Sequence, residues 1–263
     1  MPITLTPISN GKRWTGYDWS IDSDHELAKL VARIALGQYR HVLHILDQTD
    51  FVGSAPANTV LKGARQLLTV PDGGEPFHRD GWLFQTISWI AAHIHDNASL
   101  IAPPHMQHAH KGFDSLHVEI DEETQIVRSV VICEDKATSN PRDTIRDLVW
   151  EEFSDLEAGN RDNLLAAEVS TLLSTRPELD PDQAIQQVLW KKVRAFRVAI
   201  TVGDGHNSVN GRKRLFKGYS DVISGQVSRR RAETLHLNDL RLWMKRLAKK
   251  ALKTAEKMVA SDV

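Results

Sequence analysis

The chain has 263 residues, with 33 Lys+Arg against 34 Asp+Glu, and 41% hydrophobic and 25% charged residues, an ordinary globular composition. No apolar run reaches the roughly 18 residues of a membrane-spanning helix, and the first residues, MPITLTPISNGKRW, hold no apolar leader core. A single cysteine, Cys133, excludes an internal disulfide and a Cys-based zinc ribbon, so a reducing, cytoplasmic setting is expected.

Residues 1–20 read as irregular, with Trp14, Tyr17 and Trp19 as packing anchors. Ser23 or Asp24 caps a helix to about Leu46, with Leu27, Leu30, Val31, Ile34 and Leu43 at helical spacing. The pattern breaks from Gly53 to Pro56, and a short helix spans Val60–Leu68 before Pro71–Gly74. Phe77–Ile94 is a helix, closed by Pro103-Pro104. The period then changes to two. Phe113–Ile120 alternates, Ile126–Glu134 is β-rich, and the polar Asp121–Thr124 between them predicts an antiparallel hairpin. Asn140-Pro141 opens a helix that Gly159 ends. Helices over Arg161–Ser174 and Pro181–Lys192, a strand over Ala195–Val202, a loop over Gly203–Gly211 and a long amphipathic helix over Thr234–Ala260 follow.

The near-zero net charge hides a division. Gly205–Val263 holds 14 Lys+Arg against 5 Asp+Glu, while the other 204 residues hold 19 against 29. An acidic body carries a basic tail, which points to a polyanion or to an internal clamp.

The informative segments are Gly112-Phe-Asp114-Ser-Leu-His117 and, ending the second strand, Glu134-Asp-Lys136. Strand residues two apart share a face. Glu134 and Lys136 therefore point the same way, with Ile132 and Val130, and Asp114 shares a face with Leu116, Val118 and Ile120. If Ile120 pairs with Ile126, Asp114 faces Ile132 and Glu134 is its diagonal neighbour; a register shifted by two sets Asp114 opposite Glu134. Two close carboxylates repel unless a cation sits between them. Hard oxygens of this kind suit Mg²⁺, with Mn²⁺ as the alternative. A metal there activates water and neutralises charge on a phosphodiester, and a neighbouring Lys orients the water or stabilises the phosphate. The competing reading is a solvent-exposed salt bridge between Glu134 and Lys136 at a strand end.

The order helix, Asp on one strand, Glu-x-Lys on the next, then helix, resembles the PD-(D/E)XK nuclease superfamily. More narrowly, GFDSLH followed by VICEDK resembles the HamA-type nucleases of the Hachiman anti-phage defence systems, over roughly residues 77–202. The resemblance implies an α/β fold: a restriction-endonuclease-like core with a small mixed sheet flanked by helices, plus helical N-terminal and C-terminal additions. The divisions fall at 1–76, 77–204 and 205–263. It implies a Mg²⁺-dependent endodeoxyribonuclease in which Asp114 and Glu134 bind the metal and Lys136 acts on the water, with DNA as substrate and a helicase as protein partner. Many superfamily members carry a Glu on the helix before the first strand. Here Gln85 stands at that place, and an amide is a poorer metal ligand. Cys133 faces the opposite side and packs.

Other candidates are weaker. His105, His108 and His110 precede Asp114 and match no known zinc spacing; a metal site and an ordinary loop are both open. His117 alternates away from Asp114. The basic residues Arg212, Lys213, Arg214, Lys217, Arg229, Arg230 and Arg231 are candidates for nucleic-acid contact. On the last helix Arg246, Lys249, Lys250, Lys253 and Lys257 share a face, read either as a solvated surface or as a phosphate contact. Gly203-x-Gly205 lacks the following Lys-Ser/Thr of a phosphate-binding loop. The expected function is that of a metal-dependent DNA nuclease, the effector of a defence system. The alternative is a non-catalytic subunit that binds nucleic acid or a partner through the basic C-terminal segment. No membrane partner is expected.

Overall fold

The computed structural model describes residues 1–49, 56–108, 112–121, 123–124, 126–176, 179, 182, 185 and 193–260. The chain opens with an antiparallel hairpin, β1 (Ile3–Ser9) and β2 (Thr15–Ile21), where the composition suggests irregular structure. Pro7 and the Asp and Gly of TGYDWSI mask the strand signal. Pro7 is tolerated because β1 lies at a sheet edge, where a missing N–H breaks no inner ladder.

Ser23 caps α1 (Asp24–Ala35), its side chain accepting from the Glu26 N–H. The helical pattern does not run unbroken to Leu46. Gly37, at φ +80°, turns the chain in the left-handed region, and α2 (Tyr39–Leu46) follows. Next come α3 (Val60–Leu68) and α4 (Phe77–His95). Then β3 (Leu100–Ile101), β4 (Ser115–Ile120) and β5 (Val127–Lys136) form an antiparallel meander. Helix α5 (Pro141–Thr144) runs through a π turn (Ile145–Val149) into α6 (Trp150–Ala158), and α7 (Asp162–Leu173) follows. Of the expected helix over Pro181–Lys192, all but residues 182 and 185 lie outside the described residues.

Strand β6 (Arg194–Val202), α8 (Val209–Leu215), α9 (Tyr219–Val222), β7 (Arg230–His236) and α10 (Leu240–Ala260) complete the chain. The structure corrects the reading of Thr234–Ala260 as one helix, because Thr234 to His236 end a strand. RRAETLH looks too charged for an inner strand. It is one nonetheless, since its buried Arg230 and Glu233 find partners.

The seven strands form one mixed sheet in the order β1-β2-β7-β6-β5-β4-β3. The sheet is therefore larger than the small one expected. It draws strands from all three anticipated segments, so neither end of the chain is a purely helical addition. Strands β5, β6 and β7 are parallel, with Lys136 level with Ile200 and Ile200 level with Thr234. A Cβ at Gly16 would lie 2.0 Å from the Ala232 carbonyl oxygen, so only glycine lets β2 approach β7 this closely.

Each sheet face carries an apolar layer. One gathers α1–α4 and α10 around Trp19, Phe84 and Leu247. The other packs α5–α9 on Leu116, Val118, Val130, Ile132 and Phe196. Among the described residues no helix is long and apolar enough to cross a membrane.

Candidate active site

Leu116 pairs with Ile132 and Ser115 with Cys133, a register two residues beyond the one that Ile120–Ile126 pairing would set. One residue of the difference is the pairing of Ile120 with Val127 in place of Ile126, and the other is a register shift between Glu119 and Ile120. Continued by one residue, this ladder brings Asp114 opposite Glu134. Leu116, Val118, Val130 and Ile132 lie in the second apolar layer, and Glu134 and Lys136 extend that face beyond its apolar end, where Asp114, one residue before β4, meets them.

Lys136 joins the two carboxylates. Its Nζ donates to Asp114 Oδ2 at 3.0 Å and to Glu134 Oε2 at 2.5 Å. Asp114 is fixed from two further sides: the Asp135 backbone N–H donates to Oδ2 at 2.9 Å, and Gln85 Nε2 of α4 donates to Oδ1 at 2.6 Å. Gln85 thus acts through the carboxylate, orienting Asp114 by a hydrogen bond. Glu134 is 2% exposed, so it is no solvent-exposed salt bridge. Burial, and then the neighbouring charge of Asp114, push its carboxyl well above the usual range, against the pull of Lys136. Glu152 of α6 adds to the same upward push. For Lys136, burial disfavours the ammonium, but Glu134 and Asp114 outweigh it and raise its pKa.

Asp135 points to the opposite face and anchors a network there. Ser88 Oγ donates to its Oδ1 at 2.7 Å, and Arg197 Nη2 donates to that Ser88 oxygen at 2.8 Å. Arg197 also meets Glu233 at 3.1 Å, and Trp19 Nε1 donates to Glu233 at 3.0 Å. Burial, offset in part by Arg197, raises the Asp135 carboxyl to about 7. These four elements clamp β5 just where Glu134 and Lys136 leave it. Sequence reasoning missed this support, because Ser88, Arg197 and Glu233 have neither local spacing nor a motif to mark them.

Carboxylate oxygens are the hard donors that a divalent cation takes. Asp114, one residue before β4, and Glu134 of β5 reach one ammonium, that of Lys136. Asp114 and Glu134 would hold Mg²⁺. Among the described residues no group of three or more His, Cys, Asp or Glu side chains gathers for a metal, so Asp114 and Glu134 stand as a pair. His105 and His108 turn their rings to backbone oxygens of Phe113 and Leu67, and His110 lies outside the described residues. Cys133 is buried with Val131 and Ala195, and burial pushes its thiol up to about 12.

Four of the seven basic candidates are committed internally. Arg212 is buried against Asp18 at 2.5 Å, and Arg229 pairs with Glu157 at 2.8 Å. Arg230 donates to the carbonyls of Lys12, Arg13, Ile223 and Gly225. Arg231 holds both oxygens of Glu119. Only Lys213, Arg214 and Lys217 of that set are exposed. A cavity of about 920 Å³ opens on the α4 side of the sheet, walled by Tyr17, His95, Arg128 and the Arg231–Glu119 and Arg197–Glu233 pairs. None of Asp114, Glu134 and Lys136 lines it. Compared with protein-family models, with curated proteins and with solved structures, the chain matches none of them.

Proposed function

We propose that this chain is a Mg²⁺-dependent DNA nuclease of the PD-(D/E)XK type, the effector of an anti-phage defence system that works beside a helicase partner. One observation carries the nuclease reading: Asp114, just before β4, and Glu134 of β5 converge on Lys136 at the end of an apolar sheet face. Helix, Asp strand, Glu-x-Lys strand and following helix also stand in the order that the resemblance implies, which supports a restriction-endonuclease-like core. The defence role and the helicase rest on the GFDSLH and VICEDK resemblance alone.

In this reading Asp114 and Glu134 hold the metal, which when bound supplies Lewis-acid activation of water and neutralises phosphodiester charge. Gln85 and the Asp135 N–H fix the direction of the Asp114 carboxylate before substrate arrives, so little reorganisation remains. Lys136, two residues from Glu134, can donate to the attacking water or to a non-bridging phosphate oxygen.

The second reading is a structural ion triad in a non-catalytic subunit that binds nucleic acid or a partner. It is favoured by the fact that Lys136 already satisfies both carboxylates. Plasmid nicking in Mg²⁺ or Mn²⁺, against EDTA, separates the two. Glu134→Ala and Lys136→Ala are expected to lose about 100-fold or more of the metal-dependent nicking while keeping wild-type circular dichroism. Full activity in both variants overturns the nuclease reading, and unfolding of both favours the structural triad.

A further inference from the structure

Helix α10 buries one stripe, Leu240, Met244, Leu247, Ala251, Ala255 and Val259, against the first apolar layer. Its opposite side is exposed and cationic. Lys245, Lys249, Lys253 and Lys257 recur every fourth residue, over about 18 Å of helix axis, with Arg246 beside them. The single acid of the helix, Glu256, is taken by Arg65 at 2.8 Å, and Lys250 turns to Asp24 at 3.4 Å. Among the described residues, none of Lys245, Arg246, Lys249, Lys253 and Lys257 has an ion pair or a side-chain hydrogen bond.

Three classes of partner could meet such a face, and two fit poorly. A membrane-surface helix needs its apolar stripe free to insert, and here that stripe is buried in the protein. A protein interface needs an apolar or aromatic centre and is depleted in Lys, whereas Leu242, in the first turn, is the one exposed large hydrophobic of this helix. Evenly spaced, unpaired cations with no aromatic residue among them suit the phosphates of a nucleic-acid backbone.

The helix also starts at a telling place. Lys136 and Thr234 stand level across the sheet, two strands or about 10 Å apart, and α10 leaves shortly after β7 ends. Arg241 in its first turn holds Asp80 at 2.5 Å, on the helix that carries Gln85. The body of α10 packs on the face opposite Glu134 and Lys136, so it does not wall the candidate site.

We propose that the exposed face of α10 anchors DNA through Lys245, Arg246, Lys249, Lys253 and Lys257, without sequence preference and outside the Asp114–Glu134–Lys136 site. This rests on the nuclease reading for the identity of the polyanion. Counterion release from five phosphate contacts gives a slope of about −4.5 in log affinity against log salt for duplex DNA.

The test titrates a fluorescein-labelled 30-base-pair duplex in EDTA, between about 50 and 200 mM salt. The proteins compared are the full chain and the triple variant Lys249→Ala, Lys253→Ala, Lys257→Ala. The slope is expected to fall by about 3 and the affinity at low salt by about tenfold or more. Unchanged slope and affinity overturn the anchor. So does loss of binding to phosphatidylserine vesicles with DNA binding intact. Because no cleavage occurs in EDTA, failure here is distinct from failure of the nuclease reading, which only the Glu134 and Lys136 variants in Mg²⁺ report.

Discussion

Residues 212–231 and helix α10 carry comparable clusters of Lys and Arg, yet four of the seven in the first are committed inside the protein, Lys213, Arg214 and Lys217 staying exposed, while most of those on α10 face water. In the first region Arg212, Arg229 and Arg231 are neutralised by Asp18, Glu157 and Glu119, and Arg230 is spent on four carbonyls. In the second, five cations face water with no partner among the described residues. The difference lies in the backbone. Strand β7 carries its arginines into the middle of a sheet, where a charge survives only with partners. Helix α10 places its cations on the face away from its packed stripe, where each keeps its hydration. The acidic body therefore does hold part of the basic tail, through Arg212 of α8, Arg229 and Arg231, and the outer face of α10 is left free for a polyanion.

The contrast breaks most visibly at Arg230. Arg230→Ala orphans four carbonyls, from both the 12–13 turn and the 223–225 loop, and is expected to cost about 3–5 kcal/mol in denaturant unfolding. A loss within about 0.5 kcal/mol would place this arginine with the surface cations instead.

Acid sharpens the same contrast. His117 lies buried on the face of Arg197 and Arg231. Burial first, and then those two charges, hold its pKa well below 6.5. The folded state keeps it neutral while the unfolded chain protonates below about 6.5. Its contribution to stability is therefore complete above that pH and is lost as pH falls, by up to about 1.4 kcal/mol per unit. His117→Leu should flatten unfolding free energy against pH between 6.5 and 5 by that slope, and an unchanged slope would refute the buried-charge account. The smallest effect belongs to α10. The Lys249, Lys253 and Lys257 triple alanine variant should change stability by about 0.5 kcal/mol or less, even as it changes the salt dependence of DNA binding.

What the sequence discloses follows the range of the interactions. Helices α3 and α4 and the β4–β5 hairpin are legible because long apolar stretches are bounded by turn residues, Pro71–Gly74, Pro103-Pro104 and Asp121–Thr124. The strand period of two predicts Glu134 and Lys136 on one face with Asp114 nearby. The irregularity at Glu119 and Ile120, which supplies one residue of the register that sets Asp114 opposite Glu134, leaves no local mark. The N-terminal hairpin is obscured by Pro7 and Gly16, each permitted only by its place in the sheet. Strand β7 is obscured by its charges, whose partners lie far away in sequence: Trp19 bonds Glu233 across 214 positions, and Arg231 reaches Glu119 across 112. Without those partners, a basic strand and a basic helix look alike on paper.

The most direct measurement is cleavage and binding of one labelled duplex, followed in parallel for the wild type and Glu134→Gln. Here Gln keeps the shape of the buried side chain and removes its charge. The account predicts that the wild type cuts in Mg²⁺ and not in EDTA, and that Glu134→Gln binds the duplex with wild-type affinity and does not cut it. Cleavage by Glu134→Gln at the wild-type rate would contradict the account.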